Sequence, residues 1–186
     1  MDDLQNHLAK TLKAQRSLRG WSLSQAAGIT GVSKAMLGQI ERAESSPTIA
    51  TLWKIATGFN LPFSLFIGGP LTPHDTPRQS QHLPALRQPN LAMQVQTLFP
   101  FDAVTRSEML VIELAPGAVS ESAPHEQGVI EHAIVIEGQL ELRVDDVWQS
   151  IAAGDALRFE ADRAHAYRNS GAYPVRFYNL IHYPDR

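Results

Sequence analysis

Apolar residues recur at Leu4, Leu8 and Leu12, with Leu18 following, which predicts an apolar stripe along a first helix and places Lys10, Lys13 and Arg16 off it. Gly20 is predicted to stop that helix. Ser22 and Gln25 have the spacing of a capping box and predict a second, short helix through about Gly28. Gly31 is read as the turn, and Ser33 as the cap of a third helix, KAMLGQIER, that buries Met36 or Leu37 with Ile40. Pro47 sets up a fourth helix from Thr48, with Leu52, Ile55 and Ala56 inward. LPFSLF predicts a short fifth helix near Pro62.

From about residue 91 the period falls to two. MLVIEL, EHAIVIE, QLELRV, DALRF and VRFYNLI are strand candidates, separated by the turn sequences APGA, EGQ, VDD, AAGD and NSGAYP. Short strands at roughly 8–12-residue intervals predict a small antiparallel barrel or jelly roll. Between the two patterns lies GGPLTPHDTPRQSQHLPALRQP, residues 68–89, which holds five of the twelve prolines and has no periodicity. It reads as an interdomain linker in which His74 and His82 are exposed. The expected fold is therefore two-domain α + β: an all-α five-helix domain over residues 1–68, a linker over 69–90 and an all-β barrel over 91–186.

Composition changes this picture in three ways. With 186 residues, 44% of them hydrophobic, the chain can bury a real core. It has no cysteine, which excludes disulfides and thiolate metal sites. The opening MDDLQNHLAK has no basic, then apolar, leader pattern, and nowhere do 18 apolar residues run together, so a cytoplasmic protein without a membrane span is expected. The net charge of −3 is split: residues 1–68 carry seven basic and four acidic side chains, a net +3, while the remainder carries −6 and no lysine. Such asymmetry predicts different partners for the two halves.

Two short helices joined by a tight glycine turn predict a helix-turn-helix, whose second helix enters the major groove of DNA. The stretch from Trp21 to Phe66, with Gly20, Ala27, Gly31, Val32, Ser33, Ile40, Glu41 and SSPTIATLWKIA, resembles the lambda-repressor-like, or XRE, class. Ala26 stands where a leucine is usual, and Leu23 where many members have a phosphate-contacting glutamine. The resemblance puts Lys34, Ala35 and Gln39 on the groove-facing side. Lysine can donate to guanine, glutamine can pair with adenine, and alanine can meet a thymine methyl. Ser33, Arg42, Ser45 and Thr48 are placed for phosphate contacts. One head reads a half-site, so a homodimer on double-stranded DNA with a pseudo-palindromic operator is expected.

In the second half, His125, Glu131 and Gly138 are followed by Gly154, His165 and Asn169. These spacings resemble the two motifs of the cupin fold, a jelly-roll barrel whose motifs supply metal ligands. The resemblance implies His125, Glu131 and His165 as ligands, with Gln127 where a second histidine is usual. Glu160 and Asp162 replace the usual proline and glycine of the second motif. Strand parity puts Glu131, Ala133 and Val135 on one face and His165, Tyr167 and Asn169 on another, and turns His132 away. Such a donor set suits one divalent zinc, iron, nickel or manganese ion. Ala133, Val135, Arg143, Arg158, Tyr167 and Asn169 are the candidates for a ligand pocket.

The pairing of the two motifs resembles XRE–cupin transcriptional regulators across nearly the whole chain. The runs SKAMLGQIER, SSPT, PHEQGVIEH and NLIHYP are similar to regulators of sulfur utilisation in enteric bacteria. The resemblance implies a DNA-binding regulator, not an enzyme, whose barrel senses a small effector or metal, with a sulfur-containing metabolite or amino acid as the effector class. The alternative is a metal-dependent cupin enzyme, of dioxygenase or isomerase type, with an accessory head.

Overall fold

The computed structural model describes residues 2–67, 85–87 and 92–184, the first two residues and 85–87 through their backbone alone. The chain divides into two compact units, Met1–Gly68 and Gly69–Arg186. His74, His82 and most of the stretch read as a linker lie outside the described residues. Among the described residues, no helix is long and apolar enough to cross a membrane.

The first unit holds α1 (Asp2–Leu18), α2 (Leu23–Thr30), α3 (Lys34–Glu41), α4 (Ile49–Phe59) and α5 (Ser64–Ile67). Local chemistry sets these boundaries. The Ser22 hydroxyl accepts from the Gln25 amide at 3.2 Å while the Ser22 amide donates back to Gln25 Oε1 at 2.8 Å, closing the capping box. The second helix runs through Gly28 to Thr30, because the left-handed residue that ends it is Gly31, at φ 66°. Ser33 and Thr48 cap α3 and α4 by accepting from the amides three residues on.

The core of this unit is Leu8, Leu12, Leu37, Ile40, Leu52, Ile55, Phe59, Phe63 and Phe66, all buried. Leu37 fills the inward position and Met36 is only half-buried. Leu18 departs from the expected stripe and is 81% exposed. Six residues beyond Leu12 it has rotated well past the buried face, since neighbours on a helix recur at three, four and seven. Gly58 lets α4 pass close to α2, for a Cβ there would lie 2.9 Å from Thr30 Cα.

The second unit is two antiparallel sheets in a jelly-roll arrangement. Its strands are β1 (Ala85–Arg87), β2 (Met93–Asp102), β3 (Ser107–Leu114), β4 (Val119–Ser122) and β5 (Ile130–Glu137), then β6 (Gln139–Val144), β7 (Val147–Ala152), β8 (Ala156–Glu160), β9 (His165–Arg168) and β10 (Val175–His182). One sheet has the order β1-β2-β3-β10-β5-β8 and the other β4-β9-β6-β7. β1 falls inside the proline-rich stretch, where the sequence suggests only linker. Ala85–Arg87 sit between Pro84 and Pro89 and pair with Gln94–Gln96 at the sheet edge. Proline cannot donate to a ladder, which confines this strand to the short run between two of them.

Alternation along each strand sends one face into the barrel. Leu110, Ile112 and Leu114 of β3, Leu140 and Leu142 of β6, and Phe177 and Ile181 of β10 are fully or nearly fully buried. Into this apolar interior the fold also carries Glu108, Glu131, His165 and Asn179, each about 1% exposed. Buried polar groups of this kind are stable only with partners.

Candidate functional site

Two places in the chain gather chemistry, one in each unit. In the helical unit, α3 presents Lys34, Ala35, Gln39 and Arg42 as exposed residues lining one recess, together with Leu23 of α2 and Gly38. Positions 34, 35, 38, 39 and 42 share a helical face because each lies three or four residues from another of the set. The helix is anchored from behind. Arg16 of α1 donates to both carboxylate oxygens of Glu41, at 2.6 and 2.9 Å, and to the Trp21 carbonyl at 2.7 Å. A bidentate pair of this kind fixes orientation as well as distance.

The residues expected at phosphates differ in what they already hold. Ser33 and Thr48 use their oxygens in the caps described above, and both remain exposed. Ser45 is half-buried with its hydroxyl 3.9 Å from the Met36 sulfur. Arg42 is exposed but donates to both oxygens of Glu44, at 2.8 and 2.7 Å. That acidic partner was missed in the sequence, although its distance of two residues from Arg42 is visible there.

In the barrel, Glu131 of β5 is the hub. Its Oε1 accepts from His125 Nε2 at 2.8 Å, and its Oε2 accepts from the Tyr167 hydroxyl and from Asn179 Nδ2 at 2.8 Å. His165 of β9 lies alongside, with Nε2 3.9 Å from Glu131 Oε1. Its other nitrogen, Nδ1, is 2.9 Å from the Arg163 carbonyl, an acceptor, so Nδ1 must carry the proton. Nε2 is then a bare lone pair, buried and with no hydrogen-bond partner among the described residues. The donor atoms of His125, Glu131 and His165 all lie within 4.8 Å of one another.

The electrostatics follow from this geometry. Burial alone would push the Glu131 carboxyl up; the His125 hydrogen bond, the two imidazoles and the Tyr167 hydroxyl outweigh it and hold the group at about 2. Burial lowers the pKa of His165, with Glu131 opposing only in part, so its imidazole is neutral. Burial and the neighbouring carboxylate push the Tyr167 phenol well above its ordinary value, which keeps it a donor. The arrangement is a carboxylate and two imidazoles, one with its lone pair exposed to nothing but the site.

These residues fit a divalent cation. Metal-bound histidines characteristically donate their second nitrogen to a carbonyl or carboxylate, as His165 Nδ1 does here, and the Glu131 oxygen that faces the imidazoles is the one Tyr167 and Asn179 leave available. The structure does not bring four of the other sequence candidates into this cluster. Gln127 is exposed in the turn before β5 and does not share the burial of the proposed ligands. Arg143 alternates with inward Leu142 and Val144, so it faces outward, where it pairs with Glu121 at 2.5 Å and lies over Trp148. Arg158 is exposed, opposite His132 on the outer face.

Asn169 is buried, but its amide ties a turn. Its Nδ2 donates to the Leu114 and Tyr173 carbonyls and its Oδ1 accepts from the Gly171 amide. Ala133, Val135 and Tyr167 are buried, the first two on the same strand face as Glu131. Asn179 is a site residue that sequence reasoning missed. The signal was present: Val175, Phe177, Asn179 and Ile181 alternate inward, and only one of the four is polar.

Comparison with known proteins places both units. The helix-turn-helix family matches residues 12–66 and the cupin domain family residues 110–181. A relative described as the HTH-type transcriptional regulator SutR, from Escherichia coli strain K12, is 54% identical over 186 residues, with 99% of each chain covered. This chain belongs to the helix-turn-helix transcriptional regulators that carry a cupin domain. A solved HTH_3-family regulator from Vibrio cholerae superposes with a TM-score of 0.82 at 41% identity over 98% of both chains. The cupin domain of an XRE-family regulator from Enterobacter cloacae is 51% identical, covering 50% of this chain and 99% of that one, with a TM-score of 0.50. The protein is thus a DNA-binding regulator of transcription and not an enzyme, so the dioxygenase or isomerase alternative falls away.

Proposed function

We propose that the barrel of this regulator is a sensor that holds one divalent cation at His125, Glu131 and His165, and that a small molecule completing or covering that site alters DNA binding by the head. The observation that supports the reading is the bare, buried Nε2 of His165. A buried nitrogen without a partner costs about 1–3 kcal/mol, and a cation bound to it removes that cost. Zinc, iron(II), nickel or manganese matches an N, N, O donor set. When bound, it would act as a Lewis acid with positions open to a water or an effector atom.

The chain's own residues do the rest. Tyr167 and Asn179 hold Glu131 by its Oε2, and the Arg163 carbonyl holds the His165 ring in the ligating tautomer. A sulfur-containing metabolite or amino acid is the effector class we propose, since a thiolate is a strong ligand for zinc, iron or nickel. It shifts DNA binding only if it binds the competent and incompetent arrangements unequally, with a coupling of about 1–3 kcal/mol.

On the DNA side, we propose a cytoplasmic homodimer whose two heads read a pseudo-palindrome through Lys34, Ala35 and Gln39, with phosphates held by Ser33, Arg42, Ser45 and Thr48. We place the head at residues 1–68 and the sensor body at 91–186, with Ala85–Arg87 of the intervening segment joined to the barrel sheet. The first test is elemental analysis of protein purified without chelator, for the wild type and His165→Ala together. About one metal per wild-type chain and none in the variant is expected; no metal in either removes the cation from the reading. A footprint of Gln39→Ala tests the other half, with weaker and less selective protection expected.

A further inference from the structure

The recess on the face of α3 raises a question the head's fold does not answer. Gly38 sits in the middle of an eight-residue helix, where glycine costs stability relative to alanine. Elsewhere in this unit a helical glycine has a packing reason: at Gly58 a Cβ would collide with Thr30 backbone at 2.9 Å. Gly38 is also buried, but side chains cover it and not backbone. A Cβ built there would lie 3.7 Å from Leu23 Cδ1 and 3.2 Å from the far end of the Arg42 side chain, which would have to give by a few tenths of an ångström. No packed backbone requires the glycine, only the mobile end of a charged side chain on the exposed side of α3, and a local rule broken for so little points to function.

What the missing Cβ leaves is a shallow space bordered by the end of Arg42 and by Leu23. Gly38 forms the floor of the recess, Leu23 and Ala35 its apolar walls, and Lys34, Gln39 and Arg42 its polar rim. Leu23 is the first residue of α2, so the side chain at this position is an alkyl group turned towards α3 rather than a hydrogen-bonding amide. An apolar hollow framed by two cations and an amide suits a duplex edge that brings a small apolar group between polar base atoms and phosphates. Only one group in the major groove has that character, the 5-methyl of thymine.

We infer that Leu23, Ala35 and Gly38 form a specificity pocket for a thymine methyl group in the operator half-site, so that Gly38 and Leu23 join the base-reading residues. The inference rests on the reading of α3 as the recognition helix. Burying one methyl is worth about fourfold in affinity, equivalent to about 0.8 kcal/mol.

The test begins with selection of a preferred duplex from randomised DNA by the full-length protein. Each thymine of that duplex is then replaced in turn by deoxyuridine, which removes the methyl and nothing else. At least one thymine per half-site is expected to lose about fourfold in affinity on replacement. Gly38→Ala and Leu23→Ala should each bring that ratio close to one, and Gly38→Ala should melt at the wild-type temperature or above it. The inference is overturned if no replacement matters, or if Gly38→Ala stays folded and keeps the thymine preference. If the wild type selects no sequence at all, the recognition-helix reading itself fails, an outcome distinct from a selected operator indifferent to uracil.

Discussion

The head and the barrel carry their chemistry in opposite ways. On α3, Lys34 and Gln39 are exposed, where water can satisfy their polar atoms, and Arg42 at its C-terminal end is exposed with the Glu44 carboxylate as partner. In the barrel, Glu131 and His165 are each 1% exposed, and every partner they have was placed there by the fold. A surface that reads a large ligand can be altered without touching the core behind it. A site buried in a barrel is part of that core, so its residues answer for stability and binding at once. The contrast also bears on the orphaned His165 Nε2: an exposed polar group has water to pair with, whereas a buried one has only what the fold puts beside it.

The sharpest way to break that contrast is to remove the hub. Glu131→Ala leaves the Tyr167 hydroxyl, Asn179 Nδ2 and His125 Nε2 without their acceptor. Each buried donor left without its acceptor costs about 1–3 kcal/mol. Urea denaturation of the metal-free wild type and variant should show that loss in the barrel. Gln39→Ala, by comparison, should leave folding stability within about 0.5 kcal/mol of wild type. If the two variants proved equally stable, the carboxylate would not be the hub its contacts make it.

Acid tests the same site from another side. The Glu131 carboxyl is depressed from 4.5 to about 2, so it contributes stability above pH 4.5 that is lost as pH falls towards 2. His165 is lowered from 6.5 by burial, so the unfolded chain takes up its proton first and stability begins to fall below pH 6.5. The thermal midpoint of the metal-free barrel should therefore drop in two stages between pH 7 and pH 3, the carboxylate accounting for about 2 kcal/mol by pH 3. His165→Asn should remove the upper stage and keep the lower. A midpoint flat from pH 7 to 4 in the wild type would contradict a neutral, buried His165.

How much of this was written in the chain differs between the two regions for the same physical reason. The head was legible because its boundaries are local: the Ser22–Gln25 box, the Ser33 and Thr48 caps and the left-handed Gly31 each act within four residues. Leu18 was misplaced because a stripe was extended past its angular width. In the barrel, parity put Glu131, Ala133 and Val135 inward, and the structure agrees. Arg143 was offered for the pocket without regard to parity, although it sits between Leu142 and Val144 in QLELRV, and both of these turn inward. Parity grouped Asn169 with His165 and Tyr167, and all three are buried. It could not show that the Asn169 amide goes to the Leu114 and Tyr173 carbonyls, a matter of long-range contacts just past the end of β9. Gln127 lies in a turn, where alternation ends. β1 was hidden because a three-residue edge strand takes its stability from the neighbour it pairs with and leaves no period of its own.

The smallest expected effect concerns the exposed side of the contrast. Arg42 and Glu44 form a bidentate pair in which both side chains are about half exposed. The mutual hydrogen bonds raise the Arg42 pKa and lower that of Glu44, but water screens such pairs and they add little to folding. Their consequence lies in DNA binding. A phosphate that would accept from Arg42 must displace the Glu44 carboxylate or share the guanidinium with it, and the carboxylate repels the phosphate in either case. Glu44→Gln keeps the size and removes the charge. The logarithm of operator affinity against the logarithm of salt concentration should then steepen by about 0.9, the contribution of one further neutralised phosphate. The melting temperature should not move. An unchanged slope would mean that Arg42 never reaches a phosphate, and the phosphate contacts would then rest on Ser33, Ser45 and Thr48, whose caps and turn hold them near the start of α3 and α4.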